Sequence, residues 1–381
     1  MPEASLQLAV CIPTYHRPQL LRQLLCDLSR QTISIDRLII VDGDPCSREV
    51  LETVAGAPCH ARELRYVPSN HANLPYQRFV GWRAAAGAQW LLYLDDDLRL
   101  LHPDSAERLI RPLRASRGRV VGTTAELEAS SAASKATGSA CRREPPRFRM
   151  LAELARRFGS SGGILAGDLS PAGHRRPPID RNRPYELVGW LRGGAMAYRM
   201  SAITPDCFRD ALFAMSEHGW GLGEDTLLSR HIGARGVLLT AFRAGFVHPA
   251  GDRTVAYRRT AFGRGYATAY SRRLLNDHYR SFESPRWADR MALTKSYAAH
   301  ALLGWFHALS HADKHAGAFA LGYTLGALRG LLQSPTSRRL CPGIDWRADA
   351  EAALSQARTL LRSCQEIGDS QPQRHKSGLI P

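Results

Sequence analysis

Residues 90–97 read Trp-Leu-Leu-Tyr-Leu-Asp-Asp-Asp, five apolar or aromatic residues running straight into three carboxylates. An apolar run this short is the pattern of a buried strand, and a strand buried on both faces belongs in a parallel sheet covered by helices. Three adjacent carboxylates repel one another, so they sit together at little cost only where a cation stands among them. In open α/β sheets ligands bind beyond the carboxyl ends of the strands, where these aspartates fall. Strand alternation is expected to turn Asp95 and Asp97 to one side of the chain. An acidic loop after a core strand would carry the same letters, so the flanking segments must decide.

Upstream, Leu8-Ala9-Val10-Cys11-Ile12 is another short apolar run, ended by Pro13. Pro18 suits a first helical turn, and Leu20, Leu21, Leu24, Leu25 and Leu28 follow at helical spacing. Leu38-Ile39-Ile40-Val41 makes a strand ending in Asp42. Strand, helix and strand in so short a stretch form a βαβ unit, whose crossover makes the strands parallel. Residues 64–67 predict a third strand, and residues 76–87 an alanine-rich helix closed by Gly87. Residues 1–100 thus read as a nucleotide-binding α/β half, with Asp42 and Asp95 both at strand ends.

Charge is the unusual part of the composition. The chain carries a formal +16, which favours anionic partners: nucleic acid, acidic lipid surfaces or phosphorylated substrates. The surplus is uneven. Residues 141–183 hold 10 arginines against 4 acids, and residues 251–290 hold 9 against 4. Eight cysteines without a Cys-x-x-Cys pair read as reduced thiols, not as a zinc site or disulfide framework. The start of the chain has no basic region followed by an apolar core, and no apolar stretch is long enough to span a bilayer. A cytoplasmic protein is the expectation. Nucleic-acid binding rests on charge alone, with no aromatic-basic stacking pattern or zinc spacing to support it, so no nucleic-acid partner is expected.

Further along, residues 126–146 are rich in Ser, Ala and Gly and read as a mobile loop or insertion, and residues 159–184 are broken by Gly and Pro. Residues 187–200 are strand-like, and Gly193-Gly194 within them allows close backbone approach. Gly219-Trp220-Gly221-Leu222-Gly223-Glu224-Asp225 is the second strong signal: glycines for a tight turn, then acids opening a helix over 226–232. Acids there also suit the helix dipole, so capping competes with a chemical role. Residues 242–249 bring His248 to the end of an apolar run. Arg253, Arg258, Arg259 and Arg264 follow, of which one or two could clamp a diphosphate. Residues 296–309 and 316–332 are rich in Ala, Leu and Gly; they suit either a helical cap over the main domain or a face lying on a membrane.

Taken in order, these motifs resemble the family 2 glycosyltransferases of the GT-A fold across roughly residues 8–250. The opening Ile12-Pro13-Thr14-Tyr15 with Arg17, then Gln31-Thr32, then Ile39 to Asp42, match the family's first strands. Arg78, Gly81 and Gly87 match its Arg-Asn-x-Gly helix, Asp95-Asp96-Asp97 falls where its DxD motif belongs, and Trp220 to Asp225 resembles its catalytic-base segment. Two departures are visible: Gly43-Asp44-Pro45 replaces the usual acidic-Gly-Ser turn, and Phe79 stands for Asn after the arginine. The resemblance implies an α/β fold, a GT-A mixed, mostly parallel sheet flanked by helices with a C-terminal helical extension. It implies a transferase domain over 1–255 (nucleotide half 1–100, acceptor half 101–255), a basic and apolar extension over 256–365 and a disordered tail over 366–381.

The same resemblance implies the chemistry. Asp225 would be the catalytic base, with Glu224 second. Pro13, Thr14, Tyr15, Arg17, Asp42, Arg78, Asp95, Asp96 and Gly194 would bind a nucleoside-diphosphate sugar. Asp97, Asp95 and His248 would hold Mn²⁺ or Mg²⁺, the imidazole favouring Mn²⁺. Trp220 and Trp190 would face a hydroxyl-bearing acceptor, and an anionic membrane surface is a further expected partner. The competing readings are a metal-dependent nucleotidyltransferase and an inactive nucleotide-sugar-binding protein. The first would show a Gly-rich basic loop after its first strand, which Pro13-Thr14-Tyr15-His16 is not. The second would have no use for the acid pair Glu224-Asp225.

Overall fold

The computed structural model describes residues 7–46, 48–58, 60–129, 167–175, 182–218, 223–248, 261–280, 286–311 and 314–332. Strands β1 (Leu8–Thr14) and β4 (Trp90–Leu94) are buried along their whole length. Leu8, Val10, Ile12, Leu92 and Leu94 enter one core, whereas Ala9, Cys11, Leu91 and Tyr93 enter another. Strands apolar on both sides need a helical layer on each face, and both layers are present.

Helix α1 (Pro18–Leu28) starts on the proline whose fixed φ suits a first turn, and buries Leu21, Leu24, Leu25 and Leu28 as one stripe. It leads to β2 (Arg37–Asp42), α2 (Arg48–Ala55) and β3 (Glu63–Pro68). Helix α3 (Leu74–Ala84) begins where Asn73 accepts a hydrogen bond on its side chain from Tyr76 N at 3.0 Å, and it ends before Gly87, which has φ +90°. Gly81 lets α3 lie on β1, because a Cβ there would collide with Cys11 Sγ. The short β5 (Arg99–Leu100) and α4 (Ser105–Ala115) complete this half. Helices α1, α2 and α4 pack on one core and α3 on the other.

Among the described residues nine strands form one sheet, in the order β3-β2-β1-β4-β8-β6-β9-β5, with β7 also paired to β9. Strands β3, β2, β1 and β4 are mutually parallel. Beyond β4 the sheet turns mixed. Strand β8 (Ala195–Arg199) is antiparallel to β4 and to β6 (Val120–Ala129), and β6 is parallel to β9 (Val237–His248). Strand β7 (Tyr185–Val188) runs antiparallel to β9. Helices α5 (Arg209–His218) and α6 (Glu224–Gly233) follow β8, and α6 covers the same face as α3. The chain order reverses between β1 and β4, so a crevice is expected at their carboxyl ends.

Three expectations shift. The strand-like stretch 187–200 is two strands, interrupted at 189–194 by the irregular segment that carries the glycine pair. Residues 126–129 belong to β6, not to a mobile loop, and the rest of 126–146 lies outside the described residues. The helix expected over 226–232 begins earlier, so that Glu224 and Asp225 are its first turn. The C-terminal extension is three helices, α7 (Ala261–Arg280), α8 (Arg286–His311) and α9 (Lys314–Leu332). Gly265, Gly322 and Gly326 bring the backbones of α7 and α9 together, since a Cβ at any of them would meet main chain. Among the described residues no helix is long and apolar enough to cross a membrane.

Candidate active site

The triple aspartate leaves β4 as a turn. The strand ends at Leu94, Asp95 N donates to Gly194 O at 2.8 Å, and Leu98 N donates back to Asp95 O at 3.3 Å. Strand alternation therefore does not set where the carboxylates point; the turn sends them three ways. Asp96 turns inward, accepting from Thr14 Oγ1 at 2.8 Å and from Arg17 Nη1 at 3.1 Å. Burial pushes its carboxyl up to about 6, against the pull of Arg17 and Thr14. Asp97 also takes Arg17 Nη1, at 3.1 Å, and its other oxygen stands 3.2 Å from His248 Nε2. Asp95 Oδ1 accepts from Arg78 Nη2 at 3.0 Å. Burial raises the Asp95 carboxyl and Arg78 opposes it; the side chain keeps 30% exposure, so solvent moderates the effect.

The side of the crevice expected to face a nucleoside is built on β1 and β2. Gln77 of α3 ties the two strand ends, its Nε2 donating to Thr14 O and Val41 O at 2.9 Å each. Asp42 is fully enclosed, accepting from Tyr66 OH at 2.7 Å and from Asp44 N at 3.0 Å, and burial raises its carboxyl. The acid nearer the surface at this edge is Asp44, which stands 3.3 Å from His16 Nε2. His16 has φ +55°, a left-handed conformation that swings the loop around the exposed Tyr15. Pro13, at the buried root of the loop, lies past the last β1 residue that pairs with β4, so its missing N–H takes nothing from that ladder.

The second acidic segment meets the first across the glycine pair. Gly193 N donates to Asp225 Oδ2 at 2.7 Å, while Gly194, at φ +105°, offers its carbonyl to Asp95 N. A side chain at 193 would crowd Asp225, its Cβ standing 3.2 Å from Oδ2. The other oxygen of Asp225 accepts from Thr226 N at 2.7 Å and Thr226 Oγ1 at 3.2 Å, with Arg175 Nη1 at 3.7 Å. Glu224 accepts from Arg78 Nη1 at 2.8 Å. Burial first, and Asp225 beside it second, push the Glu224 carboxyl up to about 7, with Arg78 pulling the other way. One buried guanidinium thus bridges Asp95 and Glu224. Its Nε is itself buried without a hydrogen bond among the described residues. Arg78 acts through these two acids and has almost no surface to offer a nucleotide.

A loop and the C-terminal helices close the Asp225 side. Arg175 lies over the indole of Trp190, 5.4 Å from its centroid, and His174 Nε2 is 2.8 Å from Ser296 Oγ on α8. His174 stacks on His300 at 5.0 Å. Burial, then the positive Arg272, hold His174 down at about 3 and His300 at about 4. Trp190 is only 7% exposed and packs with Leu169, Leu227 and Tyr270, which leaves little of it for an acceptor. Trp220, Arg253, Arg258 and Arg259 lie outside the described residues, and Arg264 is on α7. Arg175, Asp44 and Gln77 carry no motif that marks them in sequence.

The expected metal ligands Asp97, Asp95 and His248 do not gather as three. Among the described residues no group of three or more His, Cys, Asp and Glu is arranged to hold a metal ion. What the turn assembles is a pair, Asp97 with His248. Asp97 Oδ1 is buried without a hydrogen bond although the imidazole nitrogen is within ion-pair distance. A carboxylate and an imidazole are donor types that would suit Mn²⁺ or Mg²⁺.

A parallel half with a crevice at its strand ends, joined to a mixed half bearing a second acid pair, is the arrangement of the GT-A fold. Residues 9–156 match Glycosyl transferase family 2, which supports a glycosyltransferase. No curated protein sequence matches the chain. Among solved structures it is similar to the mannosyltransferase PcManGT from Pyrobaculum calidifontis in complex with GDP-Man and Mn2+, at 15% identity over 86% of this chain and 87% of that one, TM-score 0.45. It is also similar to S. aureus TarS 1-349, at 11% identity over 95% and 92%, TM-score 0.45. A third is GalNAc-T7 with UDP, GalNAc and Mn2+, at 13% identity over 77% and 55%, TM-score 0.42.

Proposed function

We propose that this glycosyltransferase moves a sugar from a nucleoside-diphosphate sugar to a hydroxyl acceptor by one inverting displacement, with Asp225 as base and Mn²⁺ or Mg²⁺ on the donor diphosphate. The observation that carries the reading is the glycine pair: Gly193 N holds Asp225 while Gly194 O holds Asp95, so acids far apart in the chain flank one short segment. Residues 1–255 form the transferase unit in this reading and 256–365 a helical extension set peripherally on a membrane.

Thr14, Tyr15 and Asp44 line the nucleoside edge. Asp97 and His248, with Asp95 beside them, would hold the cation, and the proposal rests on the orphaned oxygen of Asp97. When bound, a divalent ion there would offset charge on the diphosphate. Arg17 fixes Asp97 toward His248, and Arg78 orients Asp95 and Glu224. The acceptor O–H gives its proton to Asp225 as its oxygen bonds to the anomeric carbon from the face opposite the leaving group. The anomeric C–O bond breaks with its electron pair going to the diphosphate. The fixed donors on Asp225 hold its carboxylate still and leave capacity for one more proton contact, since an ionised carboxylate offers about four acceptor sites.

Nuclear magnetic resonance of the anomeric centre during turnover, with UDP-, GDP- and dTDP-sugars and with or without Mn²⁺, tests the reading. The expected product has inverted configuration and forms only with the cation. Retention of configuration, or full turnover in chelator, would refute it.

A further inference from the structure

Two helices of the C-terminal unit turn large apolar side chains to solvent. On α8, Trp287, Met291, Leu302, Trp305 and Leu309 are exposed and fall within roughly a third of the helix circumference at 3.6 residues per turn. On α9, Leu321, Leu325, Leu328 and Leu332 recur at steps of four, three and four, a single stripe. The opposite face of α9 is already used: Tyr323 and Ala327 pack in the helical core, and Gly322 and Gly326 touch α7. Exposures of 71% at Leu302, 78% at Leu309 and 85% at Leu332 are far from those of a core margin. The two stripes adjoin, because Trp305 Nε1 reaches across to Thr324 Oγ1 at 3.1 Å, beside Leu325. A contiguous apolar face of this kind marks an interaction surface.

Charge chooses the partner. The one acid of α8, Asp289, is buried and α9 has none, while Arg290, Lys295 and Lys314 are exposed around the stripes. A second copy would press like-charged faces together, each from a chain of net +16. An anionic bilayer attracts both features at once, the apolar stripes to its interface and the cations to its headgroups. Neither helix can cross a membrane, so the face would lie in the interface plane. We infer that the α8–α9 face docks on the surface of an anionic lipid bilayer. This rests on the peripheral membrane setting in the proposed function and is independent of the transfer chemistry.

Cosedimentation of the full chain with phosphatidylcholine vesicles, and with vesicles of equal parts phosphatidylcholine and phosphatidylglycerol, tests it. The expected result is binding to the anionic vesicles and little to the neutral ones. Leu325→Glu with Leu328→Glu should lower the bound fraction about tenfold or more, with an unchanged thermal midpoint and unchanged donor hydrolysis. Lys295→Gln and Lys314→Gln should each weaken anionic binding about fivefold. Failure of the full chain to sediment with either vesicle overturns the docking face. So does a dimer in light scattering that the leucine variants dissociate while vesicle binding is unaffected. Vesicle binding without donor turnover supports the face and removes the transfer reading; turnover without vesicle binding does the reverse.

Discussion

The two acidic edges of the molecule are held by different means. At the β1–β4 edge the carboxylates lean on side chains: Asp96 on Thr14 and Arg17, Asp95 on Arg78, Asp97 on Arg17. At the α6 edge Asp225 leans on main-chain N–H groups, from Gly193 and Thr226. Side-chain partners can move with a ligand, whereas backbone donors fixed by a helix start and a glycine segment cannot. In the proposed function the contrast would suit one edge that adjusts to a donor and another that keeps a base at a set position. Arg78 belongs to both, and its loss should disturb the two together.

The sharpest way to break this contrast is Asp225→Asn. An amide keeps the shape but cannot accept the acceptor's proton, so turnover should fall by about 10²–10⁴-fold. Donor affinity in calorimetry should stay near that of the parent; a parallel fall in both would place Asp225 on the donor side instead. Next in size is Arg78→Met, which leaves Glu224 and Asp95 without their buried counter-charge. Removing one partner of such a pair costs about 3–5 kcal/mol, readable in a denaturant titration. A loss near zero would mean that the bridge does not hold the halves together.

Asp97→Ala should act on the donor edge alone, weakening donor binding roughly 10–100-fold in the presence of Mn²⁺ and little in chelator. Equal affinities with and without the cation in the parent protein would remove the metal from the account.

The smallest effect expected is in acid, and it should belong to the Asp225 side. His174 and His300 are held neutral at about 3 and about 4, below the ordinary value near 6.5. The unfolded chain therefore binds more protons than the folded one in this window. Their contribution is fully present above pH ~6.5 and is lost as pH falls through the folded values. The thermal midpoint should drop over that range, and His174→Gln should flatten the curve. An unchanged slope in that variant would detach the histidine pair from acid sensitivity.

Much of the first half was readable because its signals are local. Strands β1, β2, β3 and β4 are apolar runs, α1 is a leucine stripe behind a proline, and each lies within a residue or two of its expected place. Gly193-Gly194 also announced close approach, and the backbone there does approach Asp225 and Asp95. What could not be read was direction. Nothing in Asp95-Asp96-Asp97 tells that a turn will send one carboxylate inward and split the others between Arg78 and His248. That Asp42 ends a strand was legible, whereas the hydroxyl of Tyr66, 24 residues on, that donates to it was not. Arg175 was invisible for the opposite reason, being one arginine among many in a segment without periodicity. These assignments depend on contacts between distant segments, which no local pattern encodes.

The guanidinium of Arg78 also says something about how the protein is made. Asp95 lies 17 residues from it and Glu224 lies 146. On a growing chain the near contact forms first, and the far one waits until the mixed half has emerged and folded. Until then Arg78 has half of its neutralising company and Asp225 has no glycine segment to rest on. The bridge between the two acids is thus completed only after residues 193–225 have been made, however early the first strands assemble.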